Sequence, residues 1–316
     1  MIKNICFVGN FALPYCSESQ YKIELESLGY NVTCIQEDAT TSDQVLDAAL
    51  VSDAFFWVHS HHMSIPGSIS MEIVLQKLRE AGVPSFAYHL DLYMPLERWR
   101  EYEDAPYFKV DHFFTVDKLM ADWFNENTPT KGHFLLPGAF SGQNYIEDYS
   151  QTFAGDVAFI GNKGYHPEWP WRPQLIDWLR NTYQEQFTHW GGDGKALVRE
   201  KKFNDVCAST KVIVGDTLCV GFDYPNYFSE RLFNITGAGG FIIHPYIKGI
   251  EEAFEIGKEI ETFHFGDFDE LRGKIDYYLA HPKERNDIRL AGYLRTIKEH
   301  TYQHRLETII KTLDNS

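Results

Sequence analysis

Short apolar runs closed by glycine or polar residues alternate along this chain with stretches in which apolar residues recur every three to four positions. Ile5, Cys6, Phe7 and Val8 form such a run and end at Gly9, the pattern of a strand buried on both faces of a parallel sheet. The next stretch opens on Ser17 and Gln20 at capping-box spacing and predicts a helix that turns Ile23 and Leu28 inward and stops near Gly29. Runs at 31–35, 54–58, 84–88, 112–116 and 133–136 read as further strands. Helices are expected over about 43–51, over about 70–81 with Ile73, Val74 and Leu78 on one face, and through Trp123.

Residues 137–154 are richer in glycine, serine, asparagine and acidic side chains and read as a linker. The pattern then restarts. A run over 156–160 ends at Gly161, much as the first run ends at Gly9. A helix over 173–182, a strand over 186–190, a helix over 196–208 and a strand over 211–214 follow. Next come the segment 229–246, a strand over 260–264 and three helices starting near Asp267, Pro282 and Thr301. Repeated strand–helix–strand units imply parallel sheets with right-handed crossovers. The expected fold class is α/β, two tandem Rossmann-type domains over 1–145 and 146–300. A last helix over 301–316 is expected to pack back on the first domain, with Leu306, Ile309, Ile310 and Leu313 inward. Ligands of such sheets sit at the carboxyl ends of the strands, so the expected site is a cleft between the domains.

The chain has 316 residues, 44% hydrophobic, with a net charge of −16. This acidic balance speaks against a nucleic-acid partner, which normally demands many lysine and arginine contacts to phosphate. It is compatible with a small anionic ligand held by a few well-placed cations. Five cysteines in no metal or redox spacing suggest free buried thiols and a cytoplasmic protein. The opening apolar run is too short for a secretory signal, and no stretch approaches a membrane span.

The segment 229–246 concentrates the candidate chemistry. It reads as a helix starting at Ser229, a turn of Gly237, Ala238, Gly239 and Gly240, and a buried strand. A helix start beside Arg231 is an anion site, and small residues let the backbone approach what the helix holds. Arg231 and Asn234 share a helix face. Lys163 follows a strand end and can reach the same anion from the other side, and Gly161 permits close backbone approach. A glycine loop that includes Gly192 follows His189 and Trp190 and is a candidate wall for a nucleotide base. Tyr227 belongs to the loop leading into the helix, and Arg172 is a weaker candidate. On the other domain, Asp91 and then His89 are the candidate general bases, directly after a strand. His61 stands with them, while Gly9, Asn10 and His62 are candidate acceptor contacts. No Asp, Glu or Cys completes a metal site around His61 and His62, so no metal is expected.

The ordered set of Ser229, Arg231 and Phe233, then Gly237 to Ile243, then Gly249 to Phe254, then Gly257 to Ile260, resembles the carboxy-terminal domain of CgeB-like (spore maturation protein type) glycosyltransferases. So does the tail from Tyr278 through Arg285 to Arg305. The resemblance spans about 156–313. It implies the GT-B architecture of the group 1 glycosyltransferases, with a nucleotide-diphosphate sugar such as a UDP-sugar as donor and no permanently bound cofactor. The family's usual glutamate before the small-residue turn is Asn234 here, which keeps hydrogen bonding and loses the charge. The acceptor and the oligomeric state are left open. Two other readings are a glycosyltransferase acting on a nucleic-acid base or protein side chain, and a non-catalytic coat or scaffold protein that keeps the fold. A dinucleotide-dependent oxidoreductase fits less well, because Gly9 does not begin a GxGxxG motif.

Overall fold

A computed structural model describes residues 1–59, 64–91, 104–164, 170–192, 194, 197–218, 221 and 223–316. The chain divides into two compact units, one of Met1–Leu136 with Tyr302–Ser316, the other of Pro137–Thr301.

The amino-terminal unit runs β1 (Asn4–Gly9), α1 (Ser17–Ser27), β2 (Asn31–Gln36), α2 (Ser42–Leu50), β3 (Ala54–Trp57), α3 (Met71–Glu80), β4 (Ser85–His89), β5 (His112–Thr115), α4 (Lys118–Asn127) and β6 (Lys131–Phe134). Its six strands pair in the order β2-β1-β3-β4-β5-β6, all parallel. The strands are short and apolar because both faces are covered. Phe56 stacks between Phe7 and Phe86, with ring centroids 4.1 Å and 4.5 Å away. Tyr21 of α1 packs on Tyr88 and on Tyr302, which opens the last helix of the chain.

The carboxy-terminal unit runs β7 (Gly155–Ile160), α5 (Trp171–Tyr183), β8 (Phe187–Trp190), α6 (Lys201–Ser209), β9 (Thr210–Val214), α7 (Glu230–Gly237), β10 (Ile242–Pro245), α8 (Ile250–Ala253), β11 (Glu261–Phe263), α9 (Phe268–Ala280) and α10 (Pro282–Glu299). Its five strands pair in parallel in the order β11-β10-β9-β7-β8. Helix α11 (Tyr302–Asp314) belongs to the first unit, with Leu306, Ile309, Ile310 and Leu313 buried.

Each sheet reverses its strand order once, at β1/β3 and at β7/β9. Ligands of doubly wound sheets bind outside the carboxyl ends of the strands at such switch points.

Several local expectations are corrected. Ser17 is not a cap, because Cys16 holds that position without a side-chain bond. Gln20 reaches back to the carbonyl of Pro14 instead. The capping box is formed by Thr41 and Gln44 at the start of α2. Ile23 is 50% exposed, since Tyr21, Glu24 and Leu25 set an inner face of α1 centred roughly 150° around the helix from it. Ile73 is likewise exposed beside the buried stripe of Met71, Val74, Leu75 and Leu78. Helix α6 starts at Lys201, because Glu200 adopts φ +51° and breaks the chain there. Cys6 and Cys207 are buried, but Cys16 and Cys34 are only half-buried. Among the described residues no helix is long and apolar enough to cross a membrane.

Candidate functional site

At the β7/β9 switch point the carboxy-terminal unit opens into a cavity of about 290 Å³. Its walls include Gly161 and Asn162 after β7, Trp190 and Gly191 at the end of β8, Arg172 of α5, Arg199 before α6, and Ser229, Arg231 and Asn234 at the start of α7. The sequence places these residues there for separate local reasons. Ser229 is the N-cap of α7, and its Oγ accepts the backbone N–H of Arg231 at 3.3 Å, which satisfies one orphan donor of the first turn. Arg231 therefore leaves the helix within its first turn, and Asn234 stands one turn along on the same face.

Gly161 decides where the Arg231 guanidinium lies. Its φ is +143°, and a Cβ built there would stand 2.7 Å from Arg231 Nη2 and 2.9 Å from Cζ. Only a bare Cα lets the guanidinium lie against the strand end. The Phe159 ring supports it from β7, with Cζ 5.6 Å from the ring centroid. Gly161→Ala is therefore expected to strain the backbone and displace Arg231, lowering the melting temperature, as read by thermal melts.

Arg172 is 7% exposed at the side chain and donates from Nε to Asp216 Oδ2 at 2.7 Å, and Asp216 is fully buried just after β9. Its Nη1 also reaches the carbonyl of Asn162. Burial pushes the Asp216 carboxyl up, against the pull of Arg172 and Arg231. Burial, then the nearby Arg172 charge, pushes Arg231 down to about 10, so the guanidinium remains a cation near neutral pH. Among the described residues Arg231 Nη1 is buried with no hydrogen-bond partner, and so are Thr217 Oγ1 and His244 Nε2 nearby. Burial also holds His244, at the end of β10, at about 4, hence neutral. A buried guanidinium with an unused N–H pair, beside a second arginine, is what an incoming multivalent anion would satisfy.

Several sequence candidates lie elsewhere in this unit. Gly239 and Gly240 are at the far end of α7. A Cβ at Gly239 would strike Ile146, and one at Gly240 would strike Ile235 and Ile213. The glycine turn is thus a packing device that seats α7 against its own unit. Lys163 turns away to Asp177 Oδ1 at 2.5 Å. His189 is buried under the loop with Nε2 2.7 Å from the Gly161 carbonyl, while Trp190 and Gly191 line the cavity in its place. Gly192 sits against Asn162, and Tyr227 is buried beside Tyr224. Arg199 carries no sequence signal that would have marked it. Arg172 was legible only as a lone cation before a helix, because its partner Asp216 is 44 positions away.

In the amino-terminal unit, Gly9 ends β1 against Glu18, and Asn10 Oδ1 accepts the N–H of Ala12. His89 is buried 3.3 Å from the Tyr107 hydroxyl, and Asp91 is exposed. His61 and His62 lie outside the described residues. Among the described residues no group of three or more His, Cys, Asp or Glu is placed to hold a metal ion.

The two parallel α/β units match the GT-B fold of solved glycosyltransferase structures. Residues 172–311 match the model of a family described as Glycosyl transferase-like. The chain is similar to HepE of Anabaena, crystallised in complex with UDP and glucose, with a TM-score of 0.65 and 11% identity, covering 99% of this chain and 100% of that one. It is similar to an alpha-glucosyltransferase in complex with UDP and a 13-mer DNA containing an HMU base, with a TM-score of 0.67 and 11% identity over 99% of this chain and 100% of that one. A third likeness is to the sucrose-phosphate synthase of Thermosynechococcus elongatus, with a TM-score of 0.56 and 12% identity over 99% of both chains. No curated protein sequence matches the chain.

Proposed function

We propose that this protein is a glycosyltransferase that takes a hexose from a UDP-sugar, and that the cavity of the carboxy-terminal unit holds the donor's diphosphate. The observation that carries this reading is the Arg231 guanidinium, laid against Gly161 next to Arg172, with a buried Nη1 that has no partner among the described residues. Transfer breaks the bond between the anomeric carbon and the diphosphate, and negative charge grows on the leaving phosphate oxygens. Donors fixed in advance around that position lower the barrier without reorganising at the moment of reaction. Arg231 is the principal donor in this account. Arg172 holds its orientation through Asp216 and adds charge, and Ser229 and Asn234 offer polar contacts one turn apart. Trp190, Leu197 and Phe203 supply the apolar wall for the nucleoside. The family match over 172–311 and the UDP and UDP-glucose complexes of the structural neighbours support the same reading. The motifs of the carboxy-terminal half favour a CgeB-like subtype.

The test is turnover of a panel of nucleotide sugars by the pure protein, followed as release of nucleoside diphosphate. Slow release from UDP-glucose is expected. A protein that neither hydrolyses nor binds any nucleotide sugar would be a scaffold that keeps the fold. Because the guanidinium groups supply the positive charge, chelation with EDTA is expected to leave UDP affinity unchanged. A loss of affinity restored by magnesium would hand that role to a cation.

A further inference from the structure

The first sheet ends on an edge strand that a pair of histidines ties to its neighbour. Strand β6 is four residues long and outermost in its sheet, and the chain runs on from it through Leu136 into the second unit. His133 of β6 stands opposite Phe114 of β5, and His112 lies two residues earlier on the same face. Nδ1 of His112 is 3.0 Å from Nε2 of His133. The two rings are stacked, with centroids 5.2 Å apart and planes 7° from parallel, and Phe114 stacks on His133 at 4.5 Å. On the other face Gly132 lies against α4, where a Cβ would stand 2.2 Å from the Ala121 carbonyl oxygen. Asn125 of the same helix bonds both the N–H and the carbonyl of Gly132. Beyond the strand, Tyr88 Oη donates to the Leu136 carbonyl at 2.6 Å.

Two imidazoles bonded nitrogen to nitrogen have one proton between them. One ring donates an N–H and the other accepts with a lone pair. A first added proton goes to an outer nitrogen and leaves that bond in place. A second puts an N–H on both facing nitrogens and a positive charge on both stacked rings, and the bond is lost. The charged groups that act on the pair are Lys131 in β6 and Asp111 before β5. Asp111 is already engaged by Ser85 and Arg79. Burial, then the charges of His133 and Lys131, push His112 down to about 4, against the pull of Asp111. Burial, then Lys131, pushes His133 down as well.

We propose that the His112–His133 bond is an acid-sensitive latch, which holds β6 and the crossing point after it and releases them when both rings are protonated. The unfolded chain takes up these protons near the ordinary histidine value of about 6.5, and the folded chain only at lower pH. Stability from the pair is therefore complete above about pH 6.5 and is lost as pH falls through the folded values. The loss is felt first at β6, because an edge strand opens at lower cost than a central one. The latch is independent of the donor reading.

The test is made on the full chain without ligand. Histidine-ring NMR is expected to show His112 and His133 titrating in linked steps, both below the ordinary histidine value. Hydrogen exchange, corrected for intrinsic rates, is expected to show amides 132–136 losing about 10-fold or more of their protection between about pH 7 and about pH 4.5, in excess of the loss in β7. His133→Gln keeps an amide that can bond His112 and does not titrate, so the excess loss is expected to vanish in that variant. An excess loss that persists in His133→Gln overturns the latch, and so does unchanged protection of β6 in the unaltered chain. If His133→Gln does not fold, the titration of the unaltered chain decides: a His112 that titrates at or above the ordinary value overturns the proposal.

Discussion

Arg172→Ala is expected to destabilise the carboxy-terminal unit by about 3–5 kcal/mol, because it leaves the buried Asp216 carboxylate without its ion-pair partner. The pair is well sealed, with side-chain exposures of 7% and 0% and a 2.7 Å hydrogen bond. The variant should also acquire a pH dependence. Asp216 is already pushed above the ordinary carboxylate range by burial, and Arg172 opposes that push. Without the arginine, the folded state binds the Asp216 proton more tightly than the unfolded chain does. Stability that is present below the ordinary aspartate pKa is then lost as pH rises through the higher folded value. Chemical denaturation at several pH values should therefore find the variant's deficit growing from mildly acidic to neutral pH. A deficit that is small and pH-independent would mean that Asp216 is satisfied without Arg172.

Arg231→Ala is expected to act in the opposite sense on stability and to be costly for binding. Burial and the neighbouring Arg172 charge push Arg231 down from the ordinary arginine value, so the folded protein holds this cation at some expense. Removing it should leave the melting temperature unchanged or higher. UDP affinity should fall by about 1.5–3 kcal/mol, the scale of hydrogen bonds to charged groups, or roughly 10- to 150-fold. A residue that costs stability and gains affinity is the expected signature of a binding group. The two readouts together separate it from a structural arginine, whose loss would lower both.

Much of the architecture was readable in the sequence, because strands covered on both faces must be continuous apolar runs and the helices between them need stops. Gly9, Gly29, Gly82 and Gly161 mark those boundaries well. Helix faces were less legible where an apolar residue sat just off the stripe, as at Ile23 and Ile73. The start of α7 was legible too, because a capping serine and an arginine two residues later is a local signal. The glycine turn after it packs against Ile146, Ile235 and Ile213 in the structure. A ligand and a neighbouring chain segment both demand a missing Cβ, and sequence alone does not say which one fills the space. The pairs Arg172 with Asp216 and His112 with His133 span 44 and 21 positions. They come together only through the crossover connections, so no local pattern could announce them.

The central claim is that Arg231, beside Arg172, grips a diphosphate at the end of β7. Calorimetric titration of the unaltered chain and of Arg231→Ala with UDP and with uridine tests it directly. The account predicts that UDP binds the unaltered chain much more tightly than uridine, and that the gap narrows sharply in the variant. Equal UDP affinity in the two proteins would contradict it.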